Sequence, residues 1–438
     1  MTRYWAERAL LPTGLAASVR FDVADGRFTA VTVNAARGDA VALPGVVLPG
    51  FADCHSHAFH RALRGRTQQG GGTFWTWREA MYAVAARLTP DSYLRLATAV
   101  YAEMALAGIT SVGEFHYVHH QPDGRPYADP NAVGKALAEA ARRAGVRLTL
   151  LDTLYLSGGL SADGHLALSP GQRRFGDGTV ERWASRLGCL VPDATTRIGG
   201  AIHSVRAVPR VAIGEVAEIL RGRPLHVHVS EQPAENDACR AFYGCSPTRL
   251  LHDEGALGPQ ATAVHATHLG VHDIALLGDS RTTSCFCPTT ERDLADGIGP
   301  ARALCDAGSP LSLGSDQHAV IDPFEEMRAL EGHERLRSHE RGRFTPNDLL
   351  AAATAHRSIG WPDAGRLAAG SRADLVAVRL DSRRTAGTDP GQIVHAATAS
   401  DIDTVIRDGE EVVRAGRHRL GDVGRLLAEA IAPLWEDA

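Results

Sequence analysis

Asp53-Cys54-His55-Ser56-His57 carries two imidazoles two residues apart, directly after the apolar run Pro44-Gly45-Val46-Val47-Leu48-Pro49-Gly50-Phe51. Side chains two apart on a strand point the same way, so both rings can reach one metal ion. Imidazole is a standard zinc ligand, and a catalytic zinc keeps one position open for water. Three later segments have the same form: Leu225-His226-Val227-His228-Val229-Ser230-Glu231, Ala263-Val264-His265-Ala266-Thr267-His268 and Leu311-Ser312-Leu313-Gly314-Ser315-Asp316. Each is a short apolar run that closes on a residue able to bind a metal or move a proton. A single histidine on an apolar strand is ordinarily a satisfied core residue. Four such segments in one chain are hard to explain as core packing. Zinc can bring the pKa of a bound water to around 7, so the chemistry indicated is hydrolysis at neutral pH. Cys285-Phe286-Cys287 has no second cysteine pair at zinc-site spacing and reads as a buried strand.

These residues need strands to hold them. Candidate strands end near Asp53, Glu114, Leu154, Ser204, Val229, Ala266, Phe286 and Gly314, and helical patterns lie between several of them. Thr89-Pro90 starts one helix as N-cap and first-turn proline, and Gly108 ends it. Within it Leu96, Val100 and Met104 share a face. Residues 132–144, 213–220, 301–307 and 324–330 read as further helices. Strands alternating with helices predict a parallel sheet in an α/β fold. The chain ends differ. Residues up to about 47, and those after Gly365, alternate short apolar runs with turns, including Asp25-Gly26 and Asp408-Gly409, which are hairpin signals. One small β-sandwich built from both ends is expected, with a terminal helix over 425–432.

At 438 residues the chain suits a barrel plus an appended module. A formal net charge of −5 argues against nucleic acid as a bulk partner. There is no run of eighteen apolar residues, so no membrane span is expected. Residues 1–8 lack a signal-peptide core. Seven cysteines at scattered spacings suit reduced thiols in a cytoplasmic protein better than a disulfide framework.

The ordered set of His-x-His, His-x-x-Glu (His228 and Glu231), a lone histidine (His265) and an aspartate after Gly-Ser (Asp316) resembles the amidohydrolase superfamily of metal-dependent hydrolases and deaminases. The resemblance implies a (β/α)8 barrel with the metal at the C-terminal ends of its strands. It implies His55, His57, His228 and Asp316 as ligands, and Glu231 and His265 as proton-transfer groups, with Asp316 and His265 orienting the attacking water. The stretch from Gly365 to Leu375 resembles the return of such chains to their β-module. The expected division is therefore 1–48 and 365–438 for the sandwich and 49–364 for the barrel. Many two-metal members bridge their ions with a carboxylated lysine. The only lysine here is Lys135, in an Ala-rich polar helix. One divalent ion is expected. A set of three histidines and one aspartate favours zinc, with iron, manganese and cobalt as alternatives.

The segments between these residues sharpen the resemblance. They are His55-Ser56-His57-Ala58-Phe59-His60-Arg61-Ala62, Thr73-Phe74-Trp75-Thr76-Trp77-Arg78-Glu79-Ala80-Met81-Tyr82, Glu114-Phe115-His116-Tyr117-Val118-His119-His120, His203-Ser204-Val205-Arg206-Ala207 and Cys287-Pro288-Thr289-Thr290-Glu291. Over nearly the whole chain they are similar to the amidohydrolases that deiminate N-formimino-L-glutamate in histidine degradation, giving N-formyl-L-glutamate and ammonia. The resemblance places the carboxylate contacts of a small-molecule substrate at Arg78, Tyr117, His203 and Arg206. Guanidinium forks suit carboxylates. His60 stands where the resemblance leads one to expect glutamine; it is a further candidate substrate contact, since imidazole can donate to a carboxylate with a charge that depends on pH. Residues 70–82 read either as a mobile lid or as a packing loop. Rival readings are a guanine, cytosine or adenosine-type deaminase, a two-metal amide hydrolase, and a non-catalytic barrel relative. A homodimer is a common assembly for such enzymes.

Overall fold

The computed structural model describes residues 2–68 and 71–436. Met1, Gln69, Gly70, Asp437 and Ala438 lie outside them, so Gly70 of the lid-or-loop segment is not placed. Eight parallel strands run in sheet order, from one edge to the other, Leu311–Leu313, Thr283–Phe286, Ala261–His265, Leu225–Val229, Thr196–Ile202, Arg147–Leu154, Ile109–His116 and Phe51–Ser56. These are the eight candidate strands, in the expected order. The two edges are joined by the site residues themselves. Ser56 bridges Asp316 in parallel register, His57 N–H donates to the Asp316 carbonyl (3.1 Å), and Asp316 N–H donates to the His55 carbonyl (2.9 Å). Closure of the barrel therefore brings the first and last strand ends together.

Helices cover the outside, as parallel strands buried on both faces require. Pro90–Leu106 starts with a capping box between Thr89 and Ser92. Gly108, at φ +83°, sits beyond its end, where a Cβ would press on Phe51 at 2.9 Å. Ala132–Ala144 runs to Gly145 in left-handed conformation, and its Lys135 is exposed and paired with Asp129 at 2.6 Å, on the outer surface. The segment read as lid or loop is the α-helix Phe74–Ala86, with Phe74, Trp77 and Met81 buried on one face. Among the described residues no helix is long and apolar enough to cross a membrane.

Both chain ends contribute to a second eight-stranded sheet. Thr2–Leu11, Gly14–Ala24, Arg27–Thr32 and Val41–Pro49 come from the N-terminal side, and Leu375–Val378, Ile402–Arg407, Glu410–Arg414 and Arg417–His418 from the C-terminal side. The two halves join where Leu375–Val378 pairs with Val41–Pro49. One face encloses its own apolar cluster, including Phe21, Phe28, Leu43, Leu375 and Ile406, while Val46, Leu48, Val376 and Val405 on the other side belong to the barrel's core. Buried Arg147, at the start of the third barrel strand, donates to Asp374 and to Asp408 (2.9 Å) of the C-terminal segment. A guanidinium so placed needs carboxylate partners to repay its lost hydration.

Candidate active site

The C-terminal strand ends converge on a cavity lined among others by His57, His60, Arg78, Tyr117, His203, Arg206, His228, Glu231, His265 and Asp316. At its base the Asp316 Oδ1 atom lies 3.3 Å from His55 Nε2 and 3.4 Å from His57 Nε2, and His55 Nε2 lies 3.1 Å from His228 Nε2. Ligand atoms on a tetrahedral zinc with ~2.0–2.1 Å bonds sit about 3.3–3.4 Å apart, so these separations suit one shared ion.

The ring tautomers suit it too. His57 Nδ1 faces the Phe115 carbonyl (2.9 Å) and His228 Nδ1 faces the His203 carbonyl (2.9 Å). Each Nδ1–H donates to its carbonyl, so each Nε2 turns a lone pair inward. Burial pushes His55 down to about 4 and His57 to about 3, and lowers His228 far below the ordinary histidine range. All three rings are thus neutral donors. Burial alone would raise Asp316, but the adjacent imidazoles of His55, His265 and His57 outweigh that and hold it well below the usual carboxylate range. The Nε2 atoms of His57 and His228 and the Asp316 carboxylate thus offer acceptors at the base of the cavity, where ligand atoms of His55, His57 and Asp316 lie within 4.8 Å of one another, an arrangement that fits a divalent cation.

The backbone is bent to achieve this. Ser230, His265, Ala266 and Asp316 all have φ between +47° and +69°. Such non-glycine conformations cost roughly 1–3 kcal/mol each and persist where a site over-determines them. Buried polar groups hold the loop in turn. Glu114 accepts from Ser56 Oγ (2.7 Å) and Ala58 N–H (2.7 Å), and Asp53 accepts from Ser315 N–H (3.0 Å).

Above the ligand set, His265 Nε2 lies 3.6 Å from Glu231 and its Nδ1 lies 3.6 Å from Glu291. Burial would lower His265, but Glu231, Glu291 and Asp316 together raise it well above its ordinary value. Burial raises Glu231, against the opposing pull of His265 and Arg206. A carboxylate with a raised pKa beside a histidine is suited to accept and return a proton.

Toward the mouth, Arg206 donates from Nε to Glu235 (2.8 Å), and its Nη2 lies 3.5 Å from Glu231. Glu235 also accepts from Ser230 N–H (2.9 Å), tying the arginine to the turn that carries Glu231. Arg78 sits over the Trp75 ring (4.5 Å) and the Tyr82 ring (5.5 Å), both on its own helix. Tyr117 Oη is 3.0 Å from His60 Nε2, so His60 is buried at the wall beside a residue expected to contact substrate. Arg78, Tyr155, His203 and Arg206 also line a second, neighbouring cavity, so the two share these residues.

Several neighbours of the site carry no sequence signature of a role. Glu291 stands in a quoted segment, yet only the fold turns it toward His265. Tyr155 directly follows the third strand, a position where barrel sites gather residues. Gln172, in a short 3-10 turn, donates to Tyr155 Oη (2.9 Å), Tyr82 Oη (3.2 Å) and the Gly158 carbonyl (3.0 Å), and no motif marks it. Asp296, raised to about 9 by burial and Glu231, is another.

An eight-stranded parallel barrel with this polar centre at its C-terminal end defines a class of protein. Residues 46–412 match the amidohydrolase family, and the chain belongs to it. Within that class it is 38% identical over 440 residues to formimidoylglutamate deiminase of Pseudomonas aeruginosa, an alignment covering 95% of this chain and 96% of the relative. It is 30% identical over 400 residues to 8-oxoguanine deaminase of the same organism, covering 87% and 85%. The crystal structure of an amidohydrolase from Brucella melitensis superposes with a TM-score of 0.91 at 32% identity, covering 99% of this chain and 100% of that one.

Proposed function

We propose that this amidohydrolase hydrolyses N-formimino-L-glutamate to N-formyl-L-glutamate and ammonia, a step of histidine degradation, as a cytoplasmic enzyme. The observation that carries the reading is the pairing of Arg78 and Arg206 with the ligand set in one cavity. A nucleobase offers no carboxylate for two guanidinium groups, whereas the substrate offers two. The 38% identity to the Pseudomonas aeruginosa deiminase over nearly both chains supports the same choice.

His55, His57, His228 and Asp316 would hold one divalent ion, with zinc favoured by the donor set. When bound, such an ion supplies Lewis-acid activation of water and of the C=N group. The protein's own groups do the rest. Glu231 takes the proton from the attacking water and returns it to the departing nitrogen. His265, set between Glu231 and Glu291, orients that water and steadies the charge of Glu231. Arg206, positioned by Glu235, and Arg78, Tyr117 and His203 grip the carboxylates and fix the formimino carbon over the base of the cavity. His60 contributes through Tyr117. The working assembly is taken to be a homodimer. Ammonia release from N-formimino-L-glutamate by the purified protein, measured beside guanine and cytosine, tests the reading.

A further inference from the structure

We propose that Cys287, His265 and Asp316 form a second, inhibitory cation site for thiophilic divalent ions such as Cd²⁺ or Zn²⁺ in excess. The inference rests on the assignment of Asp316 to the resident ion. The three residues close three adjacent strands, Ala261–His265, Thr283–Phe286 and Leu311–Leu313. One ligand atom from each lies within 4.8 Å of the other two. Sulfur, imidazole nitrogen and carboxylate oxygen together are a soft-to-borderline donor set, suited to zinc and its heavier congener and poorly suited to magnesium or calcium.

Burial and neighbouring contacts define the set further. Cys287 is fully buried, so its thiol lies in the protein interior, and its backbone N–H donates to Glu291 (2.9 Å). His265 is 1% exposed, and its Nδ1 faces Glu291 at 3.6 Å, outside hydrogen-bond distance. Cysteine binds a metal as thiolate, so an entering ion must displace to solvent both the thiol proton and the proton that His265 holds between Glu231 and Glu291. Only an ion with real affinity for thiolate does so. Asp316 can offer one oxygen to each of two ions, and paired metals in enzymes sit about 3.5–4 Å apart. A second ion would engage His265 and so remove a group the proposed reaction needs. Inhibition without loss of the resident ion is the consequence.

The test loads the full-length protein with one equivalent of Zn²⁺, verified by elemental analysis, then titrates Cd²⁺. Binding is followed by the ultraviolet thiolate-to-cadmium absorption and activity by ammonia release. Cys287→Ser should retain one zinc and basal turnover, lose the absorption that tracks inhibition, and need at least about tenfold more Cd²⁺ for half-inhibition, since even an indirect partner of a ligand is worth 10–100-fold in metal affinity. Cys285→Ser, outside the set, should behave like the parent. Equal inhibition of parent and Cys287→Ser overturns the proposal. So does one-for-one displacement of zinc by cadmium in the parent, a result that does not depend on any variant folding. Failure of the parent to hold the first zinc would instead contradict the resident-ion assignment.

Discussion

Replacing Arg206 by methionine tests substrate recognition most sharply. The substitution keeps the length of the stem and removes the fork. In the structure Glu235 takes Nε at 2.8 Å, so a substrate carboxylate would meet the Nη side. A hydrogen bond to a charged group is worth roughly 1.5–3 kcal/mol, and losing one predicts a fall in kcat/KM of about 10- to 200-fold. A second effect follows from Nη2 lying 3.5 Å from Glu231. Arg206 lowers Glu231 against the burial that raises it, so its removal should raise Glu231 further. If ionised Glu231 is the base, activity is lost as pH falls through its pKa, and the acidic limb of the kcat/KM profile should move to higher pH. The assay is ammonia release across pH, with metal content measured on the same samples. Arg206 is not a ligand, so bound metal should be unchanged. A neutral formimino compound should react poorly with the parent and lose little more in the variant. Unaltered kcat/KM toward the acidic substrate would refute the reasoning.

Three other outcomes are expected. Elemental analysis should find one tightly bound metal per chain, and chelation should abolish turnover reversibly; two tightly bound ions would contradict the single-ion reading. Glu231→Gln should keep its metal but lose about 10²–10⁴-fold in kcat, the usual contribution of a general acid–base group, and near-normal turnover would remove Glu231 from that role. Glu235→Gln should weaken substrate binding through Arg206, raising KM more than it lowers kcat; the reverse pattern in steady-state kinetics would show that Glu235 supports Glu231 instead.

The sequence carried the barrel well because its signals are local. His55 lies on the first barrel strand and His57 directly past its end, and each apolar run ends on a polar tip, so strand ends and ligand types could be read without knowing the fold. Thr89-Pro90 marked its helix by capping chemistry that needs no tertiary partner, and the structure has both the cap and the helix. What failed was set by contacts between distant segments. Phe74–Ala86 is helical, but its start is crowded with aromatic residues and glycines that mask the pattern; the spacing of Phe74, Trp77 and Met81 was the available signal. Glu235 and Glu291 are ordinary charged residues on short helices until the fold turns one toward Arg206 and the other toward His265. The hairpin pairing Gly159–Ser161 with Gly164–Leu166 is too short for an alternating pattern to show. The strands of the two chain ends were legible, but not that they form one continuous hydrogen-bonded sheet, because the pairing of Leu375–Val378 with Val41–Pro49 spans most of the chain.

The most direct test of the central claim is a comparison of initial rates of ammonia release by the metal-loaded protein from N-formimino-L-glutamate, guanine, 8-oxoguanine and cytosine. The account predicts a kcat/KM for N-formimino-L-glutamate far above that for any nucleobase, with N-formyl-L-glutamate formed in equal amount to ammonia. Preferential deamination of a nucleobase, or no release from N-formimino-L-glutamate by protein carrying its full complement of metal, would contradict it.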